Sequence, residues 1–173
     1  RDMEIISYVL EGALAHKDST GSASTIRPGD VQRMSAGRGV QHSEFNPSAS
    51  EGVHFLQIWI HPNQQGIPPS YEEKKFSAEE KRGRLRLIAS PDRAEGSVLI
   101  HQDARVYAGL FSGKESATLP LRPEGRAYVH VARGAITANG VELQTGDALK
   151  LSGAAELTLG QGRDAEVLVF DLP

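Results

Sequence analysis

His42 and Glu44 are the residue pair with the clearest chemical potential in this 173-residue sequence. In a β-strand, residues two positions apart project from the same face, so an imidazole nitrogen and a carboxylate oxygen at these positions converge. Mixed nitrogen and oxygen ligands suit Fe, Mn, Co, Ni, Cu or Zn. The Gly37-Arg38-Gly39 segment just before the pair permits a sharp bend of the chain. The pair could therefore form part of a transition-metal site.

Two ligands alone do not define such a site, because a mononuclear centre normally takes three or four protein groups. On spacing alone, an ordinary strand end with two polar residues is the favoured interpretation of His42 and Glu44. His101 and Asp103 have the same spacing but no preceding glycines, so they are the weaker candidate pair. The other histidines are predicted to be hydrogen-bonding or structural residues of strands, namely His16, His54, His61 and His130.

The composition excludes several classes of protein. The chain has 19 Lys and Arg against 22 Asp and Glu, a net charge of −3, and no basic run, so direct nucleic-acid binding is not expected. It has no Cys, which excludes disulfide scaffolds and thiolate chemistry and is consistent with the cytoplasmic location that we expect. No apolar run approaches about 18 residues, so no membrane span is expected. Nucleophile-elbow, phosphate-loop and dinucleotide-binding motifs are absent.

Short strands separated by turns must position these side chains. Up to residue 68, apolar stretches alternate with turns rich in Gly, Pro and Asp, which predicts the short strands of a sandwich or small barrel. Residues 53–61 give the longest strand signal, and large apolar residues on both faces predict that both faces are buried. In residues 69–84, Ser70-x-x-Glu73 and Ser77-x-x-Glu80 fit the capping-box pattern and predict short linker helices.

The last part of the chain repeats the pattern of its beginning. Asn139-Gly140, between two apolar stretches, is the strongest short hairpin signal. Pro28-Gly29-Asp30 and Thr145-Gly146-Asp147 occupy equivalent positions in the two halves. Such a repeat predicts two stacked copies of one β module. We therefore predict an all-β chain with a first domain at 1–68, a linker at 69–84 and a second domain at 85–173.

Several segments of the sequence resemble the pirin family. Residues 2–12 resemble the first cupin motif of the pirins, and the block from Met34 to Glu44, with Met-Ser-Ala-Gly and His-Ser-Glu, resembles the second. Residues 56–60 and 101–103 are also pirin-like, so the resemblance covers nearly the whole chain. It implies two stacked cupin barrels, of the double-stranded β-helix or jelly-roll type, with the first barrel incomplete at its N-terminus.

In the pirins four side chains hold the metal, and two of them correspond to His42 and Glu44. The other two belong to a His-Pro-His motif that should stand immediately before Arg1 and has no counterpart here. Together with a strand signal that starts at Glu4, this favours a fragment of a longer chain over a natural N-terminus. The 173-residue chain is then expected to bind metal weakly or not at all and to lack dioxygenase activity. Glu4 falls where many other cupins place a ligand, but the pirin pattern leaves it a supporting or structural role.

The resemblance implies that the full-length parent is a metal-dependent dioxygenase that cleaves a flavonol such as quercetin with O2. The implied cofactor is one divalent transition metal, with iron favoured over Ni, Co, Cu, Mn and Zn. His42 would be a neutral imidazole ligand, and Glu44 a carboxylate ligand that also accepts the hydroxyl proton of the flavonol. The walls of the site would be apolar, and the second domain would serve as a scaffold without ligands.

A regulatory or redox-sensing metal protein is the second hypothesis, because a cupin can hold a metal without turning over a substrate. The animal pirin is described as a nuclear, iron-dependent transcription cofactor, and a protein of that kind would bind a transcription factor or an enzyme. Both hypotheses use the same ligands, so oxygen uptake with quercetin is the measurement that separates them.

Overall fold

The computed structural model describes residues 1–173, and β-strands make up nearly all of its regular structure. The strands of the first half are β1 (Glu4–Glu11), β2 (Leu14–Asp18), β3 (Ala23–Ile26), β4 (Asp30–Ser35), β5 (His42–Phe45), β6 (His54–Ile60) and β7 (Ser70–Lys75). Those of the second half are β8 (Arg86–Ser90), β9 (Val98–Leu99), β10 (Arg105–Phe111), β11 (Ala117–Pro120), β12 (Arg126–Ala138), β13 (Val141–Gln144), β14 (Ala148–Ser152) and β15 (Glu156–Leu172). The predicted all-β class is confirmed.

Helical structure is limited to α1 (Ala78–Lys81) and one turn of 3-10 helix at Ala94–Gly96. Neither segment is long and apolar enough to cross a membrane. The Ser77 capping box predicted for α1 is present: the Ser77 hydroxyl accepts from the Glu80 N–H, and the Glu80 carboxylate accepts from the Ser77 N–H. Ser70–Lys75, by contrast, is a strand and not a helix, because it pairs along its whole length with β4. Long-range pairing has overridden the local capping pattern there.

The chain divides into two compact units, and the division differs from the predicted boundaries at 68 and 84. One unit contains residues 1–76 and 91–102, and the other contains 77–90 and 103–173. The pairing of β7 with β4 explains part of the difference, since it places residues 70–75 in the first unit rather than in a linker.

The first unit contains two antiparallel sheets. One has the strand order β6-β1-β4-β7, and the other has the order β3-β2-β5. Their apolar residues form a small core in which Val9, Leu14 and Ile26 are buried against Val53 and Phe55. β6 lies at the edge of its sheet and pairs only with β1. None of its residues is buried, and Gln57 and Trp59 on one face are exposed, so the prediction that both its faces are buried was wrong. Periodicity reports which residues are apolar, but it does not report whether another layer of the structure covers them.

The second unit is built around two long strands, β12 and β15, which pair with each other. β12 also pairs with β13 and β14, and β15 also pairs with β10 and β11. The hydrophobic core of this unit includes Val129, Val131, Leu157, Val167 and Val169, all on β12 or β15. These contacts give the unit a core of its own.

The Asn139-Gly140 hairpin is confirmed. It joins β12 to β13 in an antiparallel pair with Ala138 opposite Val141. Both turn residues have positive φ, 45° for Asn139 and 79° for Gly140, which is the conformation that a tight two-residue hairpin requires.

The two Gly-Asp turns of the sequence repeat have the same local structure. The Asp30 carboxylate accepts from the Arg27 N–H over 2.8 Å, and the Asp147 carboxylate accepts from the Gln144 N–H over 2.9 Å. The preceding glycines have φ of 98° at Gly29 and 89° at Gly146. The repeat therefore also exists as a repeated turn structure, one copy in each unit.

Candidate metal centre

Strands β2 and β5 place four polar side chains on one face of their antiparallel pair. The register sets His16 directly opposite Glu44 and Asp18 directly opposite His42. Residues two apart on a strand share a face, and opposite residues of neighbouring strands do so as well. Each strand contributes one histidine and one carboxylate, and the antiparallel direction sets each histidine against a carboxylate.

Three of these side chains could hold a single metal ion. One ligand atom from each of His16, His42 and Glu44 lies within 4.8 Å of the other two. Two ligand atoms bonded at about 2 Å to a common ion lie roughly 3–4 Å apart, so the three side chains would have to draw together by up to about 1–2 Å to bind one. Three protein ligands with a remaining open position are typical of catalytic metal sites. Two imidazoles and one carboxylate therefore fit a divalent transition metal.

The environment of His16 supports a role as a ligand. Its side chain is buried, and Nε2 lies 2.9 Å from Oδ2 of Asp18. An ionised carboxylate only accepts hydrogen bonds, so Nε2 carries the proton and Nδ1 keeps its lone pair. Nδ1 is buried and has no hydrogen-bond partner. A buried polar atom without a partner is costly, and a metal ion bound to Nδ1 would remove that cost.

Asp18 orients His16. Burial raises the pKa of the Asp18 carboxyl, but hydrogen bonds from His16, Thr20 and Ser22 outweigh it and hold the pKa well below its usual range. The backbone N–H groups of Thr20 and Ser22 donate to Oδ1 over 2.8 and 3.1 Å. Asp18 is therefore ionised at neutral pH, and its other oxygen is left for His16.

Glu44 is held by two donors from the sheet that faces it. The Ser7 hydroxyl donates to Oε1 over 3.0 Å, and the side-chain amide of Gln57 donates to Oε2. Ser7 and Gln57 are opposite residues of β1 and β6, so one register position supplies both donors. A carboxylate oxygen has two lone pairs, and each oxygen of Glu44 therefore retains one for a metal or a proton.

The structure brings the predicted pair His42 and Glu44 together and adds His16, for which the sequence predicts only a hydrogen-bonding role in a strand. His16 does make such a hydrogen bond, to Asp18. The signal for its second role was the spacing His16-x-Asp18, which mirrors His42-x-Glu44. Only the pairing of β2 with β5 reveals that the two motifs face each other.

The alternative pair does not form a comparable centre. His101 Nδ1 lies 3.3 Å from Oε2 of the buried Glu4, which also accepts from the Ser35 hydroxyl over 2.9 Å. Asp103 forms an ion pair of 2.7 Å with Arg122. Both members of the alternative pair are thus engaged with other side chains, and Glu4 lies in the cluster with His101 rather than among the three candidate ligands.

A shallow cavity of about 330 Å³ opens beside His42. Its remaining lining residues are Lys17, Asp18, Ser19, Gln41 and Ser43. All of these residues have polar or charged side chains, which differs from the apolar residues expected around a flat aromatic substrate. An exposed aromatic side chain is instead found on β6, where Trp59 is 62 % exposed.

Comparison with known proteins gives consistent family matches over both halves of the chain. Residues 1–60 match the Pirin family, and residues 87–172 match the quercetinase C-terminal cupin domain. A quercetin 2,3-dioxygenase of Escherichia coli K12 is 40 % identical over 173 residues, which are 100 % of this chain and 74 % of that protein. A putative quercetin 2,3-dioxygenase of Pseudomonas aeruginosa is 40 % identical over 173 residues, 99 % of this chain and 74 % of that protein.

Solved structures give the same result. YhhW from Escherichia coli superposes with a TM-score of 0.94 at 40 % identity, over 100 % of this chain and 73 % of its own. The structure of the bacterial pirin YhhW in complex with nickel(II) gives a TM-score of 0.93 with the same identity and the same coverage. YhaK, also from Escherichia coli, gives 0.88 at 26 % identity, over 100 % of this chain and 76 % of that protein. The cupin fold predicted from the sequence is therefore confirmed.

Proposed function

Since the chain belongs to the pirin family, we propose that it is a metal-dependent dioxygenase, similar to quercetin 2,3-dioxygenase, that cleaves a flavonol with O2. The observation that carries the proposal is the approach of the His16, His42 and Glu44 donor atoms to within 4.8 Å of one another. Two histidines and one carboxylate, with open positions, are the ligand set of non-haem iron oxygenases. Iron is therefore the favoured metal, and the nickel complex of YhhW supports a divalent metal in general.

In this proposal His16 binds the metal through Nδ1, and His42 and Glu44 supply the other protein ligands. When bound, the metal supplies a Lewis-acid position that holds the oxygens of the flavonol and orients O2. Asp18 keeps the proton of His16 on Nε2 and so keeps Nδ1 free to ligate. Ser7 and Gln57 fix the direction in which the Glu44 carboxylate points.

Glu44 has a second role in this proposal, as the acceptor of the flavonol hydroxyl proton. A general base must lie within hydrogen-bond reach of the proton that it takes, and a carboxylate beside the substrate oxygens meets this condition. Each oxygen of Glu44 has two lone pairs, and the hydrogen bond from Ser7 or Gln57 uses only one of them. The proton can therefore bind to the other lone pair, and both donors continue to hold the carboxyl group after proton transfer.

Oxygen uptake in the presence of quercetin tests this function. The assay compares the 173-residue chain with a version that carries His-Pro-His before Arg1, each with and without added Fe2+ or Ni2+. In the version that carries His-Pro-His we expect metal-dependent O2 consumption that matches the loss of quercetin, and in the 173-residue chain we expect little or none. Stoichiometric metal in both versions without any O2 consumption would contradict the dioxygenase proposal and favour the regulatory hypothesis.

The same pair of proteins tests the expectation that the 173-residue chain binds metal weakly and is inactive. The expectation of weak binding rests on two protein ligands, His42 and Glu44, and His16 would add a third. We still expect the longer version to bind metal more tightly, because each further ligand replaces a water molecule in a preorganised position. Equal, stoichiometric metal by elemental analysis would show that the His-Pro-His segment is not needed.

Asp18→Asn is expected to weaken metal binding by about 10–100-fold, the usual effect of losing a charged partner of a ligating histidine. The amide oxygen still accepts from Thr20 and Ser22, so the turn is retained. Competition with a chelator gives the metal affinity. Asp147→Asn is the matched control, because its carboxylate also accepts a turn N–H, at 2.9 Å from Gln144, but lies in the other unit. Native metal affinity in Asp18→Asn would argue against His16 as a ligand.

A further inference from the structure

Two hydrogen bonds join a solvent-exposed tryptophan to the candidate metal ligand Glu44. The Trp59 indole N–H donates to Oε1 of Gln57 over 3.0 Å, and the Gln57 amide NH2 donates to Oε2 of Glu44. Both ends of the Gln57 amide are therefore engaged, its oxygen as acceptor and its nitrogen as donor. A rotated amide would place donor against donor and acceptor against acceptor, so the chain of hydrogen bonds has one stable orientation.

The strand register places Trp59 on the same side as the metal centre. Gln57 lies opposite Ser7 in the pairing of β6 with β1, and both of these residues reach Glu44. Trp59 is two positions from Gln57 and therefore projects from the same face of β6. Its ring lies next to the residues that hold the Glu44 carboxylate.

The other exposed aromatic residue provides an internal comparison. Phe45 is 43 % exposed and directly follows Glu44 in the sequence. Neighbouring residues of a strand point to opposite faces, so Phe45 projects away from the ligands. Its ring lies 5.9 Å from the Lys17 ammonium group instead. Of the two exposed aromatic rings, only that of Trp59 lies on the side of the candidate ligands.

An indole that is 62 % exposed and has its N–H engaged offers an apolar ring face in a restricted orientation. Aromatic ligands stack on such a face and cover apolar area that is otherwise hydrated. No Trp, Tyr or Phe lines the cavity beside His42, so Trp59 provides the flat apolar surface that a flavonol requires.

We propose that Trp59 is the stacking platform for the flavonol and that Gln57, held by the indole N–H, is the positioning residue for Glu44. This inference rests on the proposed dioxygenase function. Substrate stacked on the indole lies beside Glu44, and the same indole fixes the amide that orients the carboxylate. Substrate binding and orientation of the metal ligand therefore depend on one side chain through two separable properties, its ring face and its N–H group.

Three variants of the version that carries His-Pro-His before Arg1 separate these properties. Trp59→Leu removes both of them, Trp59→Phe keeps an aromatic face but loses the N–H donor, and Phe45→Leu is the control on the opposite face. Calorimetry under nitrogen measures quercetin binding without turnover, and thermal unfolding confirms that each variant is folded. Trp59→Leu is expected to weaken quercetin binding about tenfold. Trp59→Phe and Phe45→Leu are expected to stay within about twofold of the native protein.

Separate measurements of KM, kcat and metal affinity test the role of the Trp59 N–H group in holding Gln57. Trp59→Phe is expected to leave KM near the native value while kcat falls about tenfold and metal binding weakens, as when a residue that supports a ligand is lost. Because Trp59 is the only tryptophan in the chain, its fluorescence reports the same site during metal titration. Gln57→Leu is expected to shift this emission and to lower metal affinity as Trp59→Phe does.

The outcomes distinguish this inference from the proposed function. Quercetin turnover with an unchanged KM in Trp59→Leu would overturn the stacking role and leave the dioxygenase function intact. Native kcat and native metal affinity in Trp59→Phe would overturn the positioning role. Quercetin binding that depends on Trp59, together with no oxygen uptake in any version of the protein, would support the stacking role and contradict the dioxygenase function.

Discussion

In the version that carries His-Pro-His before Arg1, replacement of His42 or Glu44 by Ala is expected to abolish quercetin-dependent oxygen uptake and to lower the amount of metal bound. Each change removes a direct ligand from a candidate set of three. Loss of a residue that merely supports a ligand typically costs about 10–100-fold in metal affinity, so loss of the ligand itself should cost more. Glu44→Ala also removes the proposed proton acceptor. Elemental analysis gives the metal per chain, and an oxygen electrode gives the turnover.

Ser43→Ala is the matched control for both variants. Ser43 lies between the two candidate ligands on β5 and projects from the opposite face of the strand. It should keep native metal content and activity. His16→Ala should behave like the ligand variants, whereas His101→Ala should keep its metal. Retained activity in both His42→Ala and Glu44→Ala would mean that the active site lies elsewhere.

Gly134→Ala is expected to have the largest effect on folding of the second unit. Gly134 has φ of +69°, and a Cβ atom there would lie 2.3 Å from the carbonyl oxygens of Arg163 and Asp164. Both neighbours are backbone atoms and cannot rotate away. The left-handed conformation alone costs a non-glycine residue about 1–2 kcal/mol. With the steric overlap added, we expect a loss of more than about 3 kcal/mol of unfolding free energy, or failure to fold.

Gly153→Ala measures the cost of the left-handed backbone conformation without the steric overlap. Gly153 has φ of +68°, almost the same as Gly134, but nothing lies within 4 Å of a Cβ built on it. It should therefore lose only about 1–2 kcal/mol in urea unfolding. Gly12 of the first unit resembles Gly134, with φ of +72° and a Cβ position 2.2 Å from the Gly52 carbonyl oxygen. Equal stabilities of Gly134→Ala and Gly153→Ala would show that the backbone relaxes around the added methyl group.

Features that depend only on neighbouring residues could be predicted from the amino-acid sequence. Alternation of side chains places His42 and Glu44 on one face of a strand, because the period of a strand is two. Asn139-Gly140 specifies its hairpin because these residues adopt positive φ at low cost. Ser77 and Glu80 specify the start of a helix because their side chains reach the nearest free N–H groups. Each of these features needs only a few consecutive residues.

Tertiary structure decided the features that depend on strand pairing. His16 joins the candidate ligands only because β2 pairs with β5 in the register that sets it opposite Glu44. Ser7 reaches Glu44 across 37 positions of sequence. Trp59 connects to the same carboxylate through Gln57, which the pairing of β6 with β1 sets opposite Ser7. Partner and register are set by the burial of whole faces, a property of all strands together, whereas the local pattern of any one strand is compatible with several partners.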